Sequence, residues 1–219
     1  MRGTLLAMAL VIVLAGCTAQ PPPVASPTTS PTSTPAPSAS APIAVTEFIV
    51  GSSALEVRTD GEPESAHTWF DDPLQTVARL TELIGVAPTV AHDAASEFEA
   101  PRTRYTWDGF EFTVVDVAAD PPYFPNQYVT VTAPSTGGVR ISTAHGISVG
   151  STLEALEATG AVEYFDSSAP DGAGRLYPVD VLEQSTPDGA TDYTRVYVFV
   201  SLTSGTVYRI VAPHKNLGI

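Results

Sequence analysis

Residues 196–211 read VYVFVSLTSGTVYRIV, and this stretch has the alternation of a β-hairpin. Valine occupies every second position of its first five residues, and its last five residues form another run of strand-forming side chains. Ser204 and Gly205 between the two runs are typical turn residues. Because side chains alternate between the two faces of a strand, one face of this hairpin is predicted to lie in a core.

Two further segments show the same alternation. Residues 105–112 (YTWDGFEF) place Asp108 and Gly109 between two short runs, and Asp-Gly is a common two-residue hairpin turn. Residues 128–132 (YVTVT) alternate as well and end before Ala-Pro, as the hairpin at 196–211 does. The sequence therefore predicts strands in both halves of the chain.

Two helix starts are predicted from capping residues. Asp72 precedes a proline and is followed by Gln75, which completes a capping box, and Gly85 is placed to end the helix. Apolar residues recur at helical spacing behind this start: Leu74, Val77, Leu80, Leu83 and Ile84. Ser151 begins a second, shorter helix that ends near Gly160.

The single cysteine, Cys17, follows an apolar run that begins behind Arg2. Residues 5–15 (LLAMALVIVLA) would rise only about 16 Å as a helix, which is too short to cross a bilayer. A short apolar run of this kind predicts an export signal. Residues 14–17 (LAGC) resemble the lipobox of bacterial lipoproteins, which implies that Cys17 carries a diacylglycerol and becomes the mature N-terminus. An ordinary cleaved signal with a chance cysteine is the alternative.

The segment after Cys17 has the composition of a tether. Residues 18–42 hold eight Pro, five Ser and five Thr, with no charged residue. Such a segment cannot bury enough apolar surface to offset its ordering entropy, so disorder is predicted. The tether and the Arg-rich, Lys-poor composition resemble actinobacterial cell-envelope lipoproteins. That resemblance implies a lipid bilayer as the partner of Cys17 and a folded part on the extracytoplasmic face of the cell membrane.

The two halves of the remaining chain follow one order of elements, in which a capped helix is followed by strands that end in Ala-Pro. We therefore predict an α+β fold, a tandem repeat of one helix packed on a small antiparallel β-sheet, preceded by the disordered Pro/Ser/Thr-rich tether. This order is similar to the architecture of β-lactamase-inhibitor proteins. The predicted divisions are a signal peptide, a lipidated cysteine with its linker, and two repeats: 1–16, 17–42, 43–134 and 135–219.

Residues 146–150 (GISVG) match the G-x-S-x-G motif of serine hydrolases, and triad partners would come from Asp180, Asp188 or Asp192 with His214. The strand ahead of the motif is polar at alternate positions, unlike the buried strand that precedes a nucleophile elbow. The glycines are better explained as turn residues ahead of the second helix. A small secreted serine hydrolase that uses Ser148 is the alternative function.

The remaining chemistry is sparse. The chain has 24 acidic and 10 basic residues, a net charge of −14, which argues against nucleic acid as a partner. The four histidines share no metal-binding spacing, and residues 166–172 (DSSAPDG) depart from the EF-hand pattern. We predict no metal site, no catalytic residue and no cofactor.

The residues predicted to bind a partner are Tyr123, Phe124 and Tyr128, which belong to the proline-stiffened stretch 120–128 (DPPYFPNQY). Rigid aromatic side chains lose little entropy on docking, so they suit a contact surface if they face solvent. The alternative is that Tyr123 and Phe124 lie under the sheet and close the core. The predicted function is a non-enzymatic, membrane-anchored lipoprotein that binds an envelope protein or a cell-wall partner.

Overall fold

Thirteen strands and two helices make up the described part of the chain, which in this computed structural model is residues 45–97, 99–117, 125–167, 174–186, 189 and 191–215. All of these residues belong to one unit, Pro42–Ile219. The elements are β1 (Glu47–Val50), β2 (Ala54–Thr59), β3 (Glu62–Thr68), α1 (Pro73–Ile84), β4 (Thr89–Asp93), β5 (Arg102–Trp107), β6 (Phe110–Val115), β7 (Gln127–Val131), β8 (Ser135–Thr136), β9 (Val139–Thr143), α2 (Leu153–Glu157), β10 (Phe165–Ser167), β11 (Gly174–Ser185), β12 (Thr191–Ser201) and β13 (Val207–Lys215).

The strands form two sheets. The small sheet has five strands in the order β3-β2-β1-β9-β8, and its β1 and β9 run parallel. The large sheet has eight strands in the order β10-β11-β12-β13-β7-β6-β5-β4, and each neighbouring pair is antiparallel. Strands β7 and β13 therefore lie at the middle of the large sheet.

The two sheets share one hydrophobic core. Phe48 of β1 and Phe110 of β6 are fully buried, and their ring centroids lie 5.9 Å apart, which joins the small sheet to the large one. The core also takes in Leu80 from α1 and Leu156 from α2. Removing a large apolar side chain of this kind from water contributes about 1.5–3 kcal/mol to stability.

The predicted α+β tandem repeat is wrong, because the protein is mostly β and neither half has a sheet of its own. Strand β1 pairs with β9, and β7 pairs with β13, so each sheet takes strands from both halves. The order of helix and strand meander does occur twice, since α1 precedes β4–β7 and α2 precedes β10–β13. The two meanders then pair edge to edge, which satisfies the backbone groups that free strand edges would expose. With five residues, α2 is too short to cover a sheet.

Helix α1 has the predicted caps. The Asp72 side chain accepts hydrogen bonds from the N–H groups of Leu74 and Gln75, and Gly85 ends the helix in the left-handed conformation with its N–H bonded to Thr81 O. The predicted apolar face is partly wrong, because Leu74 is exposed, and the buried residues are Thr76, Leu80 and Ile84. This stripe follows the i, i+4 spacing of one helix face.

Helix α2 begins one residue later than predicted. Thr152 is its N-cap and accepts a hydrogen bond from Ala155 N at 3.2 Å. Ser151, the predicted cap, instead accepts a hydrogen bond from Ser148 N at 3.0 Å. Neither helix of the described residues has the length and apolar character needed to cross a membrane.

Both predicted hairpins are confirmed. Strands β5 and β6 are joined by Asp108 and Gly109, with Trp107 opposite Phe110. Gly109 has a φ of 69°, and a Cβ there would lie 2.1 Å from Ala133 Cβ, so this position requires glycine. Strands β12 and β13 form the other hairpin, but β13 continues past the Ala-Pro predicted to close it and ends at Lys215.

Candidate functional site

Strand alternation gives the large sheet a core-facing side and an outer side. Along β7, Val129 and Val131 are fully buried in the core, whereas Tyr128 and Thr130 between them stay partly exposed on the other side. Strand β13 places Val211 opposite Thr130, and residues directly opposite each other share a face. The outer side of the β7–β13 pair therefore carries Tyr128, Thr130 and Val211 together.

A groove with a cavity volume of about 470 Å³ lies on this outer side. Small-molecule and cofactor sites usually have a volume of roughly 300–1,000 Å³. The apolar and aromatic lining residues are Val115, Pro125, Tyr128, Phe199, Val211 and Pro213, and the polar ones are Gln127, Thr130, Arg209 and His214. The groove thus combines apolar walls with a few polar groups, which is the usual composition of a binding site.

The guanidinium of Arg209 packs against two aromatic rings. Its Cζ lies 4.1 Å from the ring centroid of Phe199 and 5.8 Å from that of Tyr208. A register shift between β12 and β13 sets Arg209 opposite Phe199 and leaves Tyr208 as an extra residue on β13. Cation–π contacts of this kind stabilise by about 0.5–2 kcal/mol and restrict where the cation can go.

A second aromatic cluster adjoins the groove on the same side of the sheet. The rings of Tyr197 and His214 lie 4.6 Å apart by centroid, and Tyr164 stacks on Tyr197 at 6.4 Å. The Cζ of Arg195 lies 5.3 Å from the Tyr164 ring and 5.2 Å from the Tyr193 ring. Burial raises the pKa of the Tyr197 hydroxyl above its ordinary value, so this tyrosine stays protonated at neutral pH.

Gln127 fixes the start of β7 to the segment before α1. Its side chain is buried, and Nε2 donates a hydrogen bond to Asp71 O at 2.9 Å. Its Oε1 has no hydrogen-bond partner among the described residues. This contact joins positions 56 residues apart in the chain and holds one end of the groove in place.

Of the three residues predicted to bind a partner, the structure places Tyr128 in the groove lining. Tyr123 and Phe124 lie outside the described residues, in the segment that leads to Pro125. Pro125 itself lines the groove. Of the predicted stretch 120–128, the structure therefore places Pro125, Gln127 and Tyr128 in the groove lining.

Sequence reasoning did not identify Phe199 and Arg209 as site residues, and it considered His214 only as a possible triad partner of Ser148. One signal was present, because both faces of the strand VYVFV carry large side chains, with valines on one side and Tyr197 and Phe199 on the other. A strand with one solvated face would alternate apolar with polar residues. Aromatic residues on the second face therefore indicated a surface suited to contacts.

Both the hydroxyl and the backbone N–H of Ser148 form hydrogen bonds that stabilise the fold. Its Oγ donates a hydrogen bond to Ile141 O at 2.7 Å, and its N–H donates to Ser151 Oγ. Within the described part of the chain, no histidine or carboxylate is hydrogen-bonded to Ser148. Gly146 and Gly150 both have positive φ, as expected of the turn residues that the sequence indicated.

The predicted triad partners lie in other settings. Asp180 accepts a hydrogen bond from Ser52 N at 2.7 Å and so ties the β1–β2 turn to β11. Asp192 accepts a hydrogen bond from the N–H of Tyr193, next to it in the chain. His214 lines the groove, and Asp188 lies outside the described residues.

No group of three His, Cys, Asp or Glu side chains that could hold a metal ion occurs in the described ranges. Of the histidines, His92 forms a small polar cluster on the core-facing side of β4 and β5, the side that also carries Trp107. Its Nδ1 lies 3.0 Å from Thr103 Oγ1, which in turn donates to Asp116 Oδ2 at 3.1 Å. Cys17, the predicted lipidation site, lies outside the described residues.

Comparison with known proteins adds no information about the function of this groove. No protein-family model, no curated protein and no solved structure matches the chain.

Proposed function

We propose that this protein is a non-enzymatic binding module, held on the extracytoplasmic face of the cell membrane by acylated Cys17, and that the groove on the large sheet receives its partner. The partner is an envelope protein or a cell-wall component. The observation that carries the proposal is the open, apolar-walled groove along β7 and β13, with Tyr128 in its lining.

The position of the groove supports a binding role. Its floor is formed by the two central strands of an eight-stranded sheet, whose opposite side is packed in the core. Such a floor moves little, and a preorganised site loses less entropy when a partner binds. Tyr128 and Phe199 add rigid aromatic area, which is the side-chain type that dominates binding energy at many interfaces.

The anchor and tether support the location. The sequence Leu-Ala-Gly at residues 14–16 before Cys17 has the lipobox pattern, and two acyl chains hold a protein at a bilayer where one binds reversibly. At about 3.1 Å per residue, an extended polyproline-rich tether of 25 residues would reach nearly 80 Å. A module on such a tether can search a wide zone above the membrane.

Photo-crosslinking from inside the groove tests the proposal. A benzophenone amino acid is placed at position 130 in the full-length chain, expressed in its native envelope, and the crosslinked adducts are identified. Thr130 lies on the groove lining, so we expect a defined adduct with an envelope protein or wall fragment. The same probe at position 70 is the control, because Phe70 is an exposed aromatic outside the groove lining. Identical adducts from both positions, or none from position 130, would contradict the proposal.

A further inference from the structure

We infer that the free edge of β4 pairs with the same edge of a second copy of this chain, across a two-fold axis at Ala91. Strand β4 ends the large sheet, so antiparallel pairing of two β4 strands joins two large sheets into one. This interaction surface lies apart from the groove. It therefore goes beyond the proposed function and does not rest on it.

The backbone of β4 has hydrogen-bonding groups that face away from the sheet. The two-residue turn between β5 and β6 makes Trp107 a hydrogen-bonded partner on the β6 side of β5. Backbone groups alternate in direction along a strand, so Arg104, three residues earlier, directs its N–H and C=O toward β4 and pairs with Ala91. Val90 and His92, on either side of Ala91, therefore direct their N–H and C=O groups toward the free edge.

These free groups select one antiparallel register for a second copy. With the axis at Ala91, Val90 lies opposite His92 of the second copy, and every free N–H and C=O of these two residues is paired. An axis at Val90 would place His92 opposite Pro88, which has no N–H to donate. An axis at His92 would place Val90 opposite Ala94, which lies beyond the end of β4. The register at Ala91 is thus the one that β4 satisfies fully.

The side chains of β4 allow this close approach. Opposite residues that are not hydrogen-bonded come within about 4.5 Å by Cα, and at the axis these are two alanines with small side chains. Val90 is 48% exposed, and the second strand would cover this apolar side chain. The ring of His92 leans toward β5, where its Nδ1 lies 3.0 Å from Thr103 Oγ1, so it does not lie over the free edge.

The other sheet edges of the described chain have features that block pairing, and β4 lacks them. Strand β3 carries Glu62, Pro63 and Glu64 and pairs with β2 through a register shift. Strand β8 has two residues and β10 has three. Strand β4 has five residues with no proline or lysine, and it pairs with β5 in an unbroken register. Charges, proline, bulges and short strands are the usual protection of an edge, so β4 is the edge open to pairing.

The charge around β4 permits two copies of an acidic chain to meet there. The chain has a net charge of −14, so two molecules repel each other at most orientations. Asp93 of β4, however, is paired with Arg102 at 3.0 Å and with Arg104 at 2.8 Å. In the register at Ala91, Asp93 lies opposite Thr89 of the second copy, and like charges do not face each other across the edge. Charges farther than about 8 Å away are largely screened at physiological ionic strength.

Cysteine crosslinking in the full-length chain tests the contact. Ala91→Cys is expressed with its anchor, and isolated membranes are oxidised with copper phenanthroline in air. The two Cα atoms at the axis lie about 4.5 Å apart, within the range of about 4.4–6.8 Å that a disulfide spans. Thr89→Cys is the matched control, because Thr89 is on the same strand and is more exposed, yet the register places its two copies about 14 Å apart. The unmodified chain gives the background from Cys17.

We expect a disulfide-linked homodimer of Ala91→Cys on a non-reducing gel, at a yield at least about tenfold above that of Thr89→Cys, because Cα atoms more than about 7 Å apart are not bridged without backbone movement. Random collisions would instead favour the more exposed Thr89→Cys. Equal yields from the two positions, or no homodimer from Ala91→Cys, would overturn the inference. A mixed disulfide with another envelope protein in place of the homodimer would also overturn it, since the occupant of the edge would then be a different chain.

Val90→Pro in the Ala91→Cys chain then tests the hydrogen bonds of the edge. Proline removes the N–H that faces the second copy and leaves the groups bonded to β5 in place, so the dimer yield should fall at least about tenfold. Val90→Thr keeps the N–H and the β-branched shape and should retain the yield of the parent. A Val90→Pro protein that melts as the parent does and still forms the dimer at the same yield would contradict the pairing. The comparison of positions 91 and 89 decides the inference even where Val90→Pro does not fold, and capture from position 130 reports on the groove separately.

Discussion

At the scale of single residues, several side chains that carry a catalytic or turn signature in the sequence have structural roles. Ser148 sits in a G-x-S-x-G motif, but its hydroxyl is hydrogen-bonded to Ile141 O. A nucleophilic serine needs a base within hydrogen-bond reach, and none is bonded to Ser148 within the described ranges. The geometry therefore supports a role for Ser148 in joining the loop before α2 to β9.

Ser148→Ala tests this structural role. We expect the substitution to lower the free energy of unfolding by about 1 kcal/mol, because one hydrogen bond to a backbone carbonyl is lost. Urea denaturation of the purified protein measures the change. A fluorophosphonate probe should label wild type and variant equally weakly. Labelling that depends on Ser148 would contradict the structural role and support the serine hydrolase.

Gly109 is the second residue at which the structure predicts a definite loss of stability on substitution. Gly109→Ala should cost more than about 1–2 kcal/mol, since it adds left-handed strain and a clash with Ala133 Cβ. Gly61→Ala is the matched control, because Gly61 also has positive φ and nothing lies within 4 Å of its added Cβ. Urea denaturation of both variants should show the larger loss of unfolding free energy for the substitution at position 109. The double variant Gly109→Ala, Ala133→Gly should regain only part of the difference, because the added Cβ would still lie 3.0 Å from the backbone N of residue 133 and 3.1 Å from its Cα. Equal losses of unfolding free energy at positions 61 and 109 would count against the close approach.

At the scale of elements, β4, β5 and β6 are linked on the outer side of the large sheet by ion pairs. Asp93 of β4 accepts from Arg104 Nε at 2.8 Å and from Arg102 Nε at 3.0 Å, and Arg104 also reaches Glu111 of β6. Hydrogen bonds from Arg104 and then from Arg102 lower the pKa of the Asp93 carboxyl to about 2. Strand β4 is the edge of the sheet, so this network ties the edge to its neighbours.

The lowered pKa of Asp93 gives a pH-dependent expectation. Its folded pKa of about 2 lies below its ordinary value of 3.8, so its stabilising effect is present above pH 4 and is lost as the pH falls toward 2. Asp93→Asn should lower the melting temperature at pH 6, and the gap to wild type should narrow between pH 4 and pH 2.5. Asp108→Asn is the control, since its carboxylate forms no ion pair with described residues. A gap that stays constant with pH would contradict the assigned pairing.

The elements also show why part of the structure was predictable. The caps at Asp72 and Gly85 and the turn at Asp108 and Gly109 depend on residues within four positions of each other, and the local pattern predicted all of them. The β1–β9 and β7–β13 pairings join residues 79 to 93 positions apart, and nothing in the local pattern selects them. The predicted repeat failed at this step, because the order of elements was similar in the two halves while the pairing crossed between them.

The candidate site, like the fold, was predictable only where local sequence determines it. Tyr128 stood out because it is an aromatic residue beside a proline-stiffened loop. Arg209 and Phe199 become neighbours only through the register of β12 on β13, and Tyr128 joins them only through the β7–β13 pair. A site formed by strands from both halves of the chain is visible only when the sheet order is known.

At the scale of the whole molecule, the proposed function requires that the module stay attached to the membrane through Cys17. Cys17→Ser removes the only thiol that could carry the diacylglycerol, so we expect the protein to leave the membrane fraction. Detergent phase partitioning measures the change, with wild type as the reference. A Cys17→Ser protein that still partitions with membranes would contradict the anchor.

The central claim is that the groove between β7 and β13 is the binding site, and Val211→Trp tests it most directly. Val211 lies on the outer side of β13 in the groove lining, so the larger ring should fill the groove while the core side of the sheet is unchanged. The measurement is the yield of the adduct captured from position 130 in the full-length chain, with and without Val211→Trp, beside a thermal melt of each protein. We expect a folded variant with nearly wild-type melting temperature and less than about one tenth of the adduct. A folded Val211→Trp protein that captures the same partner at wild-type yield would contradict the account.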